Sequence, residues 1–146
     1  YNIGGKIDRI DLKEGVLRIV DYKTGGSPAC FEDVEGLFDN KKEARGNYIF
    51  QAFFYSSIVA KKSCDYKVKP ALLYIHKFIP NQNFNSDIKT KDKETEYIES
   101  IDKFQKDFDS KLKELISEIL DENAHFNQTE IEKKCSYCDF KNICKK

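Results

Sequence analysis

The sequence predicts an α/β protein in which a mixed β-sheet of three or more strands is flanked by helices. Three observations carry this prediction: a β-hairpin near the N-terminus, an amphipathic helix followed directly by an apolar strand, and a long amphipathic helix after that strand. Because a helix separates the hairpin from the third strand, we expect that strand to pair parallel to an earlier one through a right-handed crossover. The expected order of elements is β-β-α-β-α.

The hairpin is predicted by two runs rich in β-branched residues, 7–11 and 16–23, on either side of Lys13-Glu14-Gly15. Such runs are typical of strands. Gly15 can adopt the positive φ that a tight hairpin turn requires.

Polar side chains are expected to converge at one end of this hairpin. Since side chains alternate along a strand, Asp21 and Lys23 share a face. Asp8 joins them if it pairs with Asp21 or with Ile19, whereas a one-residue slip without a bulge would separate it.

Two carboxylates and a lysine on one patch of sheet indicate a metal site. Neighbouring carboxylates repel each other and favour a cation, and their hard oxygens suit Mg²⁺ or Mn²⁺. A metal held by Asp8 and Asp21 can activate water and neutralise charge on a phosphate. Lys23 could then orient that water or stabilise the pentavalent phosphate. The alternative is a solvated Asp21–Lys23 ion pair on an exposed strand face.

These residues carry a family resemblance. Gly5-x-Ile7-Asp8-Arg9-Ile10-Asp11, followed by Val20-Asp21-Tyr22-Lys23-Thr24-Gly25, resembles the RecB-like branch of the PD-(D/E)XK nucleases. Gln51-x-x-x-Tyr55, at the start of a helix, resembles the next motif of that branch. Cys135-x-x-Cys138 followed by Cys144 is similar to the C-terminal cysteine cluster of its iron–sulfur members, which include the AddB subunit of AddAB helicase–nucleases and the exonucleases of CRISPR adaptation. The resemblance spans nearly the whole chain, in the family's order.

The resemblance implies a restriction-endonuclease-like mixed sheet that lacks the first helix of the core. It implies metal-dependent hydrolysis of DNA phosphodiesters, with this chain as a fragment of a larger repair or recombination exonuclease or helicase–nuclease and with a helicase domain or subunit as the expected partner. Asp8, Asp21 and the Tyr22 carbonyl would bind Mg²⁺ or Mn²⁺, and Lys23 would assist the attacking water. Gln51 and Tyr55 would act near the metal or a DNA phosphate. The family's upstream His or Glu has no counterpart in this sequence.

The five cysteines form a poor disulfide framework, because their number is odd and Cys30 and Cys64 are isolated. Metal ligation in a reducing, cytoplasmic compartment fits better. Cys135, Cys138 and Cys144 are one ligand short of a closed zinc site or a cubane cluster. The resemblance implies a 4Fe-4S cluster in the full-length protein, with a fourth cysteine far upstream. There are two alternatives. One is a zinc site in which His125 is the fourth ligand, and the other is three free thiols without a metal.

The other elements are predicted from hydrophobic periodicity. Residues 29–45 should form a loop with a short helix, either a wall or lid beside the site or an ordinary connection. A helix is expected over residues 48–61, a doubly buried strand over 69–78 and a loop over 79–95. A long helix should then pack across the sheet, with an apolar stripe formed by Tyr97, Ile101, Phe104, Phe108, Leu112, Leu115, Ile116 and Ile119. His76 is interpreted as a non-catalytic histidine at a strand end.

Composition limits the remaining possibilities. With 146 residues, 40% hydrophobic and 34% charged, the chain can form one compact domain over residues 1–146. A formal net charge of zero gives no argument for a nucleic-acid partner. The sequence contains no run of about 18 apolar residues, so it predicts no membrane span. It also shows no secretory signal. Because the chain begins at Tyr1 and not at Met, with a predicted strand already under way, we expect a piece of a longer protein. A non-catalytic DNA-binding or assembly module and a zinc-stapled structural module are the alternative functions.

Overall fold

A computed structural model describes residues 2–26, 30–43, 46–63, 65–77, 85–91, 96–125 and 127–145. The sheet is three-stranded with the order β1-β2-β3, formed by β1 (Arg9–Lys13), β2 (Val16–Lys23) and β3 (Lys67–Tyr74). The helices are α1 (Val34–Phe38), α2 (Asn47–Ala60), α3 (Asp102–Leu120) and α4 (Glu132–Ser136). The mixed α/β architecture with a restriction-endonuclease-like core is confirmed.

The N-terminal hairpin is confirmed, with a turn one residue shorter than the predicted break. Glu14 and Gly15 form the loop alone, with φ values of 52° and 79°. Positive φ at both central positions matches the right-handed twist of the flanking strands. Lys13 is therefore the last residue of β1, where it pairs with Val16.

The third strand pairs parallel to β2, as predicted, but its bounds differ from residues 69–78. It begins at Lys67 and ends at Tyr74, and Ile75–Lys77 form a 3₁₀ turn. The strand β3 ends at Tyr74 because Tyr74 pairs with Lys23, which is the last residue of β2. Burial on both faces is confirmed, because the residues from Val68 to Leu72 are all buried.

The predicted loop over residues 79–95 needs correction where the structure describes it, in residues 85–91. These residues run along the sheet edge and not as a free loop. Leu72 N donates to Ser86 O at 2.8 Å, and Ile98 N donates to Ile88 O at 2.9 Å. Ile88 is buried because it packs into the core. Residues 79–84 and 92–95 of that prediction lie outside the described part of the chain.

The core lies between the sheet and the helices, and α2 is its central helix. Packed against β3 and β2, α2 also contacts α1 and α3. Its Phe53 stacks on Phe31 with ring centroids 4.9 Å apart, and Phe31 meets Phe104 edge-on at 4.9 Å. These aromatic contacts bury large apolar areas, so they fix how α2 packs against Phe31 and, through it, against α3.

The packing of α1 and α3 differs from expectation. The principal contacts of α3 are with α1 and α2, whereas it was expected to cross the sheet. The helix starts at Asp102, because Tyr97 forms a β-bridge with Lys89. Ile119, expected in the apolar stripe, is exposed, since it lies in the last turn of α3 beyond the core. The short helix α1 packs into this same helical layer, which favours an ordinary connection over a lid.

Candidate active site

The hairpin register brings Asp8 beside Asp21. Arg9 pairs with Val20, so Asp8, which precedes Arg9, lies next to Asp21, which follows Val20. Asp8 Oδ2 also accepts a hydrogen bond from the Tyr22 backbone N–H at 2.8 Å. Of the two registers that would gather the polar groups, the observed register of β1 and β2 is the one that, continued by one residue, places Asp8 opposite Asp21.

Asp21 and Lys23 form a buried ion pair. Asp21 Oδ2 lies 2.5 Å from Lys23 Nζ, and the two side chains are only 5% and 12% exposed. The contact lacks hydrogen-bond geometry, so Oδ2 is a buried acceptor without a hydrogen bond. A solvated pair on an exposed face, the alternative interpretation of Asp-x-Lys, is excluded by this burial. Burying charges is costly unless they are paired and hydrogen-bonded.

Helix α2 supplies the partners of this ion pair. Lys23 Nζ donates to Gln51 Oε1 at 2.8 Å, and Gln51 Nε2 donates to Tyr55 OH at 3.4 Å. Because residues four apart lie on one helix face, Gln51 and Tyr55 both point to the end of β2. The predicted site residues Asp21, Lys23, Gln51 and Tyr55 thus form one continuous chain of contacts from the sheet to the helix.

A glycine lets the N-terminal segment approach this chain. A Cβ atom at Gly5 would lie 2.5 Å from Tyr55 OH. A side chain at position 5 would therefore displace the Tyr55 ring, which is itself buried. The glycine three residues before Asp8 is thus explained by close packing against α2.

The sequence argument missed Tyr48. Lys23 Nζ lies 4.3 Å from the centroid of the Tyr48 ring, which is a cation–π contact. The signal was present in the spacing, because Tyr48 precedes Gln51 by three residues on the same helix face. It was overlooked because a tyrosine at the start of a helix has no chemical signature of its own.

Asp11 lies on the opposite face of the hairpin from the site. Arg18 binds it in a bidentate manner, with Nε to Oδ1 at 2.6 Å and Nη2 to Oδ2 at 2.7 Å. Arg9 Nη2 lies 2.6 Å from Asp11 Oδ2. The Arg18 hydrogen bonds are the main cause that holds the pKa of Asp11 below its usual value, and the nearby charges of Arg18 and Arg9 add to it. These arginines satisfy Asp11, which therefore is not a candidate metal ligand.

The donor set fits a hard divalent cation. Asp21 Oδ2 is a buried carboxylate oxygen without a hydrogen bond, and Asp8 Oδ1 forms none with the described residues. Mg²⁺ commonly uses one or two carboxylates and keeps several waters. The part of the chain that the structure describes contains no group of three or more His, Cys, Asp or Glu residues able to hold a metal. Asp8, Asp21 and the Tyr22 carbonyl would therefore supply only a few of the ligands of a bound cation.

The C-terminal cysteines do not assemble a metal site in the described residues. Cys135, Cys138 and Cys144 are free and partly buried, and no metal-binding group includes them or His125. The apolar residues among them are exposed: Tyr137 by 87%, Phe140 by 66% and Ile143 by 78%. Cys30 is free and exposed, and Cys64 lies outside the described residues.

Fold and site together define a class of protein, namely α/β domains that place two carboxylates and a lysine at the end of a hairpin. A model of the PD-(D/E)XK nuclease superfamily matches residues 1–145, and the chain belongs to this superfamily. No curated protein and no solved structure matches the chain. Membership indicates a nuclease function and implies a DNA substrate. None of the helices in the described residues is long and apolar enough to cross a membrane.

Proposed function

We propose that this chain is the nuclease domain of a RecB-like, metal-dependent DNA exonuclease. It would form a single, partial domain of a larger cytoplasmic repair or recombination protein that has a helicase domain or subunit, as in AddB-type proteins. The single observation that carries the proposal is the buried Asp21–Lys23 ion pair, held at 2.5 Å at the end of β2. Burying such a pair without full hydrogen bonding is costly, and its position where β2 meets α2 supports a functional role.

The residues take distinct roles in this proposal. Asp8, Asp21 and the Tyr22 carbonyl would hold Mg²⁺ or Mn²⁺, which when bound activates water and neutralises charge on the phosphate. Lys23 would orient the attacking water and stabilise the charge that develops on the phosphoryl oxygens. Gln51 holds the Lys23 ammonium by accepting its hydrogen bond, and Tyr55 supports the Gln51 amide.

The proposal is tested in a protein extended upstream, because this chain lacks the family's upstream His or Glu, by cleavage of end-labelled DNA with Mg²⁺, with Mn²⁺ and with a chelator. We expect Asp21→Ala and Lys23→Ala to lower the rate by about 100-fold or more, because each removes charge stabilisation in the transition state. The matched control is Lys13→Ala, which removes a lysine at the opposite, exposed end of the hairpin. Folded variants with activity within a few-fold of the wild type would refute the assignment.

A non-catalytic DNA-binding module of the same fold is the second candidate. One observation favours it, which is the lack of any group of three or more potential metal ligands among the described residues. Such a module would bind DNA equally with and without Mg²⁺ and would not cleave it. The same assay, combined with a binding measurement in chelator, separates the two functions.

We also propose that Cys135, Cys138 and Cys144 ligate a 4Fe-4S cluster in a longer protein that supplies a fourth thiolate from upstream. The support is that all three thiols are free and partly buried within ten residues of each other. Anaerobic purification of a protein extended upstream should give stoichiometric iron and visible absorption, which Cys138→Ala should bleach. Stoichiometric zinc without iron would refute the cluster and favour the zinc-stapled alternative.

A further inference from the structure

Tyr48 contacts three parts of the candidate active site at once. Its ring lies below the Lys23 ammonium at 4.3 Å. It packs against the buried Tyr74 with ring centroids 6.4 Å apart, and Tyr74 is the residue of β3 that pairs with Lys23. A Cβ atom at Gly26 would lie 2.9 Å from Tyr48 Cε2, so the chain that leaves β2 rests directly on the ring.

The backbone at Gly26 makes that approach specific. Its φ of +82° is a conformation that favours glycine, and the lack of a side chain lets the backbone touch the ring. The contacts with Gly26 and Tyr74 therefore both limit the orientations of the Tyr48 ring. A ring fixed in this way can in turn limit the positions of the Lys23 ammonium.

Lys23 needs such a restraint, because a lysine side chain has four flexible carbons and a compact charge. Asp21 holds the ammonium at 2.5 Å and Gln51 holds it at 2.8 Å. Because the Asp21 contact lacks hydrogen-bond geometry and Gln51 accepts only one N–H, these two contacts leave the orientation of the ammonium and the position of the side-chain stem undetermined. The face of the Tyr48 ring supplies a third contact, through its negative quadrupole.

We propose that Tyr48 is a positioning residue that holds the Lys23 ammonium between Asp21 and Gln51 for catalysis. This inference rests on the proposed nuclease function. The ring acts through its face and not through its hydroxyl, because the described contact is between Nζ and the ring centroid. Tyr48, Gln51 and Tyr55 form one positioning stripe on α2, in which a tyrosine at each end packs against a glycine, Gly26 or Gly5.

The first experiment measures steady-state DNA cleavage by three variants. A cation–π contact of a partly buried ammonium corresponds to a factor of about 2 to 30. We expect Tyr48→Leu to lower kcat by about 10-fold with KM within twofold of the wild type, and Tyr48→Phe to restore kcat because it keeps the ring. The matched control is Tyr97→Leu, which removes a similarly exposed tyrosine that contacts Lys89 at 5.9 Å, away from the site.

The second experiment does not require activity. Urea unfolding of Tyr48→Leu, Lys23→Met and the double variant should show that the Tyr48→Leu loss of stability is smaller in the Lys23→Met background. Additive effects would overturn the inference, as would a wild-type kcat in Tyr48→Leu or a raised KM with kcat unchanged. A wild-type protein extended upstream that never cleaves DNA would refute the proposed function, whereas coupling in the unfolding cycle would still support the contact.

Discussion

The substitution Lys23→Met tests how the site is coupled to folding. It keeps the length and apolar stem of the side chain but removes the ammonium that lies 2.5 Å from Asp21 Oδ2. Asp21 is 4% exposed and its Oδ2 has no hydrogen bond to replace the lost partner. We therefore expect the variant to be less stable than the wild type at neutral pH.

The magnitude follows from burial. Removing one partner of a fully buried ion pair costs about 3–5 kcal/mol, and because Lys23 keeps some solvent access we expect the lower end, about 3 kcal/mol. For a chain of this size that free energy corresponds to a decrease in Tm of about 10 °C. By contrast, Lys61 forms an exposed pair with Asp109 at 2.9 Å, with 52% of its side chain exposed. Lys61→Met should cost about 0–1 kcal/mol.

The assay is urea or thermal unfolding of both methionine variants, together with the double variant Lys23→Met with Asp21→Asn. The second substitution removes the uncompensated charge, so it should recover at least about 1 kcal/mol of the stability lost in Lys23→Met. If Lys23→Met were no less stable than Lys61→Met, or if the double variant recovered nothing, the burial argument would be refuted.

Two further substitutions test close packing and charge. Gly5→Ala should lower the free energy of unfolding by about 1–3 kcal/mol, because its Cβ would lie 2.5 Å from Tyr55 OH, whereas Gly4→Ala meets nothing within 4 Å and serves as the control. Glu32 has a pKa lowered to about 2, chiefly by the hydrogen bond from Lys42. Its contribution to stability is therefore present above pH 4.5 and lost as the pH falls towards 2. The Tm difference between wild type and Glu32→Gln should accordingly shrink from pH 6 to pH 2.5, and a constant difference would contradict this pKa.

The sequence was informative where local patterns decide the structure. Alternation and the break at Lys13-Glu14-Gly15 predict the hairpin, and the 3.6-residue period predicts α2 within one residue at each end. The parallel pairing of β3 follows from the intervening helix, since a crossover is the ordinary connection between parallel strands. The site residues Asp21, Lys23, Gln51 and Tyr55 lie on the strand and the helix that these patterns predict, and docking of α2 on the sheet brings them together.

The errors concern features that depend on distant partners. The end of β3 is set by where β2 ends, and the packing of residues 85–91 is set by hydrogen bonds to β3 and to residues 96–98. Likewise, the layer in which α3 packs depends on α1 and α2, because its apolar stripe is compatible with either a sheet or a helix. Amphipathic periodicity shows which face is buried but not the surface that buries it.

The burial of Asp21 also shows why this site could not be assigned from the Asp-x-Lys motif alone. On an isolated hairpin both side chains would be solvated, and an ion pair there would contribute little. They become buried when the positioning stripe of α2 covers the end of β2, as the contact of Lys23 with Gln51 and Tyr48 shows. Formation of the site therefore requires helix–sheet docking. It follows that variants weakening this docking, such as Gly5→Ala, should lose activity even while they remain folded. The loss should be larger the more the variant displaces the side chains of the site.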